Sequence, residues 1–422
     1  MNTVLTKLSN GIRVVTCSMP QVESVAVAVC AGVGGRHESA EQSGISHFIE
    51  HMLFKGTPRR SARRIMQEIE GIGGDINANT SEERTTYYAV APADHLERAT
   101  AVLADLYQNA RFDSRDIELE RGVIAEEIQM YRDDPSQHVF DLLNQVYWQD
   151  HPLGRSITGT QETIADFGRK EFHRHLQQHY QGANTVISAA GRVDAQAFAS
   201  LAERCFGGLP EGKAPGSPLP APRPGLRPRV LVEDRDTQQT QLAIGLPAPG
   251  ARDPQRFAMH LLHVILGGNG SSRLFQELRE KRGYCYTVST YPSMLLDAGV
   301  LSLSVGLDAR NLPKCLGMIR KQLEKLHSEP VGRTELARAK RYVVGLGRMA
   351  LERTSSQNSR IIQALMTFGR VPDPAEIYSA IEAVTAEEIQ QTAAKFLKLK
   401  SARVAVIGPG VNPDQTLQQL LN

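Results

Sequence analysis

Three residues within a run of five could do metal chemistry: His47, Glu50 and His51. They lie in an apolar-periodic segment, 44–54, that reads as a helix. On a helix, positions i and i+4 share a face, so both imidazoles can turn a nitrogen toward one ion. Glu50 borders the same face. Two neutral imidazoles plus a carboxylate form a donor set that zinc accepts. Without a ligand, two histidines on an otherwise apolar helix would be expensive to bury. A hydrolytic zinc takes three protein ligands and leaves one position for water, so a third donor must come from elsewhere. The segment 120–128, ERGVIAEEI, has helical composition with valine and isoleucine on one face. Glu120 and Glu127 are seven positions apart in it and align to within about 20° on a helix. They can enter one site together, one as ligand and the other as its partner. Glu126 is rotated away and reads as solvated.

Other histidines offer less. His260 and His263 sit i,i+3 with no carboxylate in register, which reads as a packed helix. His173, His175 and His179 do not converge on one ion at helical spacing. The glycine-rich stretch 267–271 lacks the Gly-Lys-Ser/Thr that follows in a phosphate loop.

These segments need elements to position them. The chain has 422 residues, long enough for two or three domains. Seven prolines fall within 209–228, which reads as an extended linker. It separates an N-terminal domain, 1–208, from a C-terminal domain, 229–422. The halves resemble one another. Apolar strands at 24–30 and 239–245 are each followed by a turn and an apolar helix, at 45–53 and 257–266. A helix ending at Tyr180 leads to a strand at 184–191, and a helix ending at Leu397 leads to a strand at 402–408. Two divergent copies of one α+β unit account for this pattern.

Composition narrows the function. With 48 basic and 46 acidic residues the net charge is +2, which argues against nucleic-acid binding. No apolar run is long enough to span a membrane. The N-terminus shows neither a signal-peptide core nor an Arg-rich transit segment, and five cysteines without a CxxC pair suit a reducing compartment. A cytoplasmic protein is the expectation.

The His47-x-x-Glu50-His51 motif, followed 76 residues later by Glu127, resembles the inverted zinc motif of the pitrilysin-type (M16) metallopeptidases. The resemblance is to the short subfamily that includes the mitochondrial processing peptidase β-subunit and its bacterial relatives. It extends through GISHFIEHMLFKGT at 44–57, GGDINANT at 73–80, HPLGRSITGT at 151–160 and SSRLFQELREKRG at 271–283. It implies an α+β fold of two homologous domains, each a mixed or antiparallel sheet flanked by helices. It implies one Zn²⁺ per chain, held by His47, His51 and Glu127, with Glu120 orienting a ligand. Glu50 would be the general base for an attacking water. The segment Asn77, Ala78, Asn79 and Thr80 matches an exposed edge strand that takes the substrate as an added strand, a mode that binds peptide without demanding sequence. Asn77 matches an asparagine that contacts the substrate backbone. Arg279 and Tyr286 match an Arg/Tyr pair whose phenol stabilises the oxyanion, with Arg282 and Tyr284 as the alternatives. The implied function is a zinc endopeptidase for short or unfolded peptides. Chains of this length are half of a clamshell, so a homodimer would close the chamber and bring the second domain of one subunit to the zinc site of the other. Non-catalytic relatives usually lack an intact His/Glu/His set.

Overall fold

The computed structural model describes residues 2–213, 216, 219–222 and 229–421. Positions 214, 215, 217, 218 and 223–228 of the expected linker lie outside the described residues. Two compact units form. The first holds a six-stranded sheet in the order β1-β2-β6-β3-β5-β4, where β1 is Asn2–Lys7, β2 Arg13–Ser18, β3 Ser24–Ala31, β4 Asp75–Thr80, β5 Thr85–Pro92 and β6 Thr185–Gly191. The second holds a five-stranded sheet in the order β7-β11-β8-β10-β9, where β7 is Arg229–Glu233, β8 Thr240–Ala248, β9 Cys285–Met294, β10 Gly299–Leu307 and β11 Arg403–Ile407. Each sheet has one parallel pair, β2 with β6 and β7 with β11, and is otherwise antiparallel. The repeated order bears out an α+β fold built on two copies of one pattern, with β1 as an addition to the first.

Alternation along the strands decides which face is core. In β3, Val25, Val27 and Val29 pack with Phe48 and Ile49 of the helix Ile45–Leu53. Ala26 and Ala28 therefore face the other side of the sheet. The second sheet is backed in the same way by the helix Arg256–Leu266, whose Leu261, Leu262 and Ile265 are buried.

The units do not follow the halves of the chain. The helix Pro135–Trp148 belongs to the second unit, and the helix Thr354–Phe368 to the first. Val139, Leu142 and Leu143 pack on Ala243, Ala405 and Ile407. Ile361, Ile362 and Leu365 pack on Val15, Ala28 and Val186. Each helix has an apolar stripe, and the stripe covers the open face of the sheet built from the other half. A division at 208/229 therefore describes the chain order and not the compact units, because periodicity shows that a stripe is buried but not against which sheet. Among the described residues, no helix is long and apolar enough to cross a membrane.

Candidate metal centre

The helix Ile45–Leu53 is set in place at its N-terminus. Gly44 has φ +93°, and a Cβ there would lie 2.6 Å from the Thr158 carbonyl oxygen, so the close approach requires glycine. The buried Glu38 carboxylate accepts from the Gly44 and Ser46 amides at 2.8 and 2.9 Å. It satisfies amides that the helix leaves open, and these hydrogen bonds oppose the burial that raises its carboxyl above the ordinary range.

The helix Ser114–Asp133 approaches with Ile117, Glu120 and Ile124 buried. Glu127 continues that stripe by one more turn. Arg121 pins the helix, donating to the carbonyls of Ile164 and Phe167, with its guanidinium 5.8 Å from the centre of the Phe48 ring. Glu126 is exposed.

Two helices thus bring three donors together. Glu127 Oε2 lies 3.7 Å from His47 Nε2 and 3.6 Å from His51 Nε2, and one ligand atom from each residue lies within 4.8 Å of the other two. These gaps are too long for hydrogen bonds. They suit donors about 2 Å from a shared cation. Among the described residues, no other trio of His, Cys, Asp or Glu converges in this way. Glu120 Oε1 sits 2.8 Å from His51 Nδ1. A proton on Nδ1 then points at Glu120, which leaves the Nε2 lone pair facing Glu127.

The electrostatics agree with the geometry. Burial, helped by the neighbouring His51, holds the His47 imidazole down at about 4, so it is a neutral donor at pH 7. Burial disfavours ionising Glu120, but hydrogen bonds from His51 and Lys55 outweigh it and hold the carboxyl below its ordinary range. Burial raises the Glu50 carboxyl against the hydrogen bond from Thr80, which moves it in the direction a general base needs. Thr80 Oγ1 donates to Glu50 Oε2 at 2.5 Å.

The strand β4 is the sheet edge beside this cluster. Thr80 reaches Glu50, Ala78 packs on the core, and Asn77 and Asn79 are exposed on the other face. Asn77 Oδ1 accepts from the Ala78 amide at 2.8 Å. In the second unit, Arg279 lies over the Phe275 ring at 4.8 Å and the Tyr286 ring at 5.6 Å. Tyr286 stands on β9, 68% exposed. Arg282 is held instead by Glu277, at 2.5 Å, and Tyr284 packs against the second core. His260 and His263 lie on the helix Arg256–Leu266, with His263 Nδ1 3.2 Å from Thr290 Oγ1.

Sequence reasoning missed Glu38, Lys55 and the role of Thr80 as the partner of Glu50. Lys55 Nζ meets Glu120 Oε2. Its position four after His51 was the available signal, although the helix ends before it, at Leu53. No local signal marks Glu38.

Comparison with known proteins agrees with this fold. Residues 13–161 match the insulinase family, peptidase family M16, and residues 166–343 match the peptidase M16 inactive domain. A Bacillus subtilis protein, the "uncharacterized zinc protease YmxG", is 35% identical over 96% of this chain and 97% of its own. The chain belongs to peptidase family M16. Two solved structures share the fold. A protease from Helicobacter pylori superposes with a TM-score of 0.91 at 22% identity, covering 97% of this chain and 99% of that one. A peptidase M16 inactive domain from Pseudomonas fluorescens gives 0.90 at 18% identity, covering 98% and 100%.

Proposed function

We propose that the chain is a metal-dependent endopeptidase, with Zn²⁺ as the metal and His47, His51 and Glu127 as its protein ligands. One observation carries the reading: Glu127, from a distant helix, faces both imidazoles while Glu120 fixes the orientation of His51. A divalent cation in that cradle would supply Lewis acidity, lowering the pKa of water and polarising a carbonyl. Glu50 takes the proton from the attacking water and returns it to the leaving amine. Thr80 holds the Glu50 carboxylate in one rotamer. Glu120 and Lys55 keep His51 turned. The exposed edge of β4, with Asn77, Ala78, Asn79 and Thr80, pairs with the backbone of an extended peptide. That mode favours short or unfolded substrates.

Arg279 and Tyr286 belong to the same reading. Tyr286 offers a phenol donor for a developing oxyanion, and Arg279 braces its ring. The chain acts as a homodimer in the cytoplasm, the second unit of one subunit completing the site of the other. A second reading, a non-catalytic member of the family, draws on the inactive-domain match over 166–343. The intact His47, Glu50, His51 and Glu127 set weighs against it.

The test is hydrolysis of internally quenched peptides. Cleavage should stop with a chelator, return with zinc, and follow the dimer peak in size-exclusion chromatography. No cleavage of any peptide by the zinc-loaded dimer would overturn the reading.

A further inference from the structure

On the face of the first sheet turned away from the helix Ile45–Leu53 lies a cavity of about 420 Å³. Ala28 of β3 and Tyr88 of β5 line its floor, and the helix Thr354–Phe368 contributes Ser355 and Ser359. Asn79 and Arg84 stand where it meets β4 and the β4–β5 turn. The small Ala28 side chain leaves the space open. Hydroxyls and amides predominate among the polar groups, and among the described residues no carboxylate lines the cavity.

Among the described residues, Arg84 is the charged group there. It is half-buried, and its guanidinium has no ion pair or hydrogen bond among the described residues. The nearby Glu83 is taken by Arg36, at 2.6 Å. A guanidinium drawn partly out of water without a counter-ion is costly, and its forked donors match a carboxylate.

The position relative to β4 gives the cavity a ligand. A peptide pairing with the free edge of β4 turns the side chain opposite Asn79 to the same face as Asn79. A long side chain there leans over Asn79 toward Arg84. The next residue of β4, Thr80, touches Glu50, so this position falls close to the bond that would be cut. We propose that the cavity receives a carboxylate of a peptide seated on β4, on an acidic side chain or on the C-terminus. Arg84 is its counter-charge, and Tyr88, Ser355 and Ser359 are further donors. The inference rests on β4 being the peptide-binding edge.

The test uses the full-length Glu50→Gln chain, loaded with zinc, so that peptide is held without turnover. A short peptide capped at both ends carries one glutamate walked through a glutamine background, and binding is read by fluorescence anisotropy. A single favoured position should bind roughly five- to tenfold tighter than the all-glutamine peptide, the worth of one partly desolvated charge-assisted contact. Adding Arg84→Gln should bring that ratio to about one, and Arg84→Glu should turn it toward a lysine peptide. A merely structural loss would weaken both peptides and leave the ratio unchanged. A preference confined to uncapped peptides assigns the cavity to the chain end. Equal affinity, or none, for all peptides overturns the inference. Hydrolysis of the all-glutamine peptide by the wild-type chain, run in parallel, reports on the peptidase reading separately.

Discussion

Replacing Glu120 should weaken metal binding without removing a ligand. Its Oε1 lies 2.8 Å from His51 Nδ1, and its Oε2 meets Lys55. The side chain is 6% exposed, so little water can take its place. Groups that orient a ligating imidazole are worth roughly 10- to 100-fold in metal affinity, which is about 1.4–2.7 kcal/mol. Glu120→Leu removes both contacts in a buried setting and should fall near 100-fold, taking the upper end of that range. Glu120→Gln keeps the volume but has one acceptor oxygen. Turned to His51, it presents its amide hydrogens to Lys55; turned to Lys55, it presents them to Nδ1–H. A loss near tenfold follows, at the lower end of the range. The assay is zinc competition against a chelating dye, with thermal melts of the metal-free protein to show that the fold survives. Glu126→Gln, on the exposed face of the same helix, serves as the control and should not change affinity. If folded Glu120→Leu bound zinc as tightly as wild type, Glu120 would have no hold on His51 and the reasoning would fail.

Other perturbations separate the roles further. Thr80→Val removes the donor on Glu50 and should cut kcat about tenfold, the worth of one such bond, with metal content unchanged; a parallel loss of metal would contradict it. Acid should destabilise the first unit through His37, His175 and His179. Burial is the leading cause that keeps all three below the ordinary histidine value, with His179 at about 4. The folded values lie below the unfolded one, so the unfolded chain binds more protons under about pH 6.5. Stability is therefore complete above that pH and is lost as pH falls toward 4. Thermal melts of metal-free protein from pH 7 to 5 should show a falling Tm, with a shallower fall for His179→Asn. Identical slopes would remove His179 from the explanation.

Much of the framework was legible because it is local. The helix carrying His47 and His51 follows from its apolar period, and the alignment of Glu120 with Glu127 follows from helical geometry alone. The strands at 24–30, 184–191 and 402–408 announce themselves as apolar runs between turns, and the structure extends or trims them by a residue or so. What could not be read was register between distant elements. Thr80 meets Glu50 only because β4 packs beside the helix Ile45–Leu53. Glu38 reaches Ser46 across a turn that the sequence leaves unspecified. The exchange of the helices Pro135–Trp148 and Thr354–Phe368 between halves depends on which open sheet face each stripe finds. Arg84 looks like any charged turn residue until the cavity beside it is seen.

The central claim is that Glu127 and the two imidazoles hold one divalent cation. Metal analysis of purified protein, wild type beside Glu127→Gln, measures it directly. Wild type should carry zinc in a one-to-one ratio, and the variant should lose most of it while keeping its fold by circular dichroism. Undiminished zinc in the folded variant would show that Glu127 is not a ligand, and the metal centre described here would be wrong.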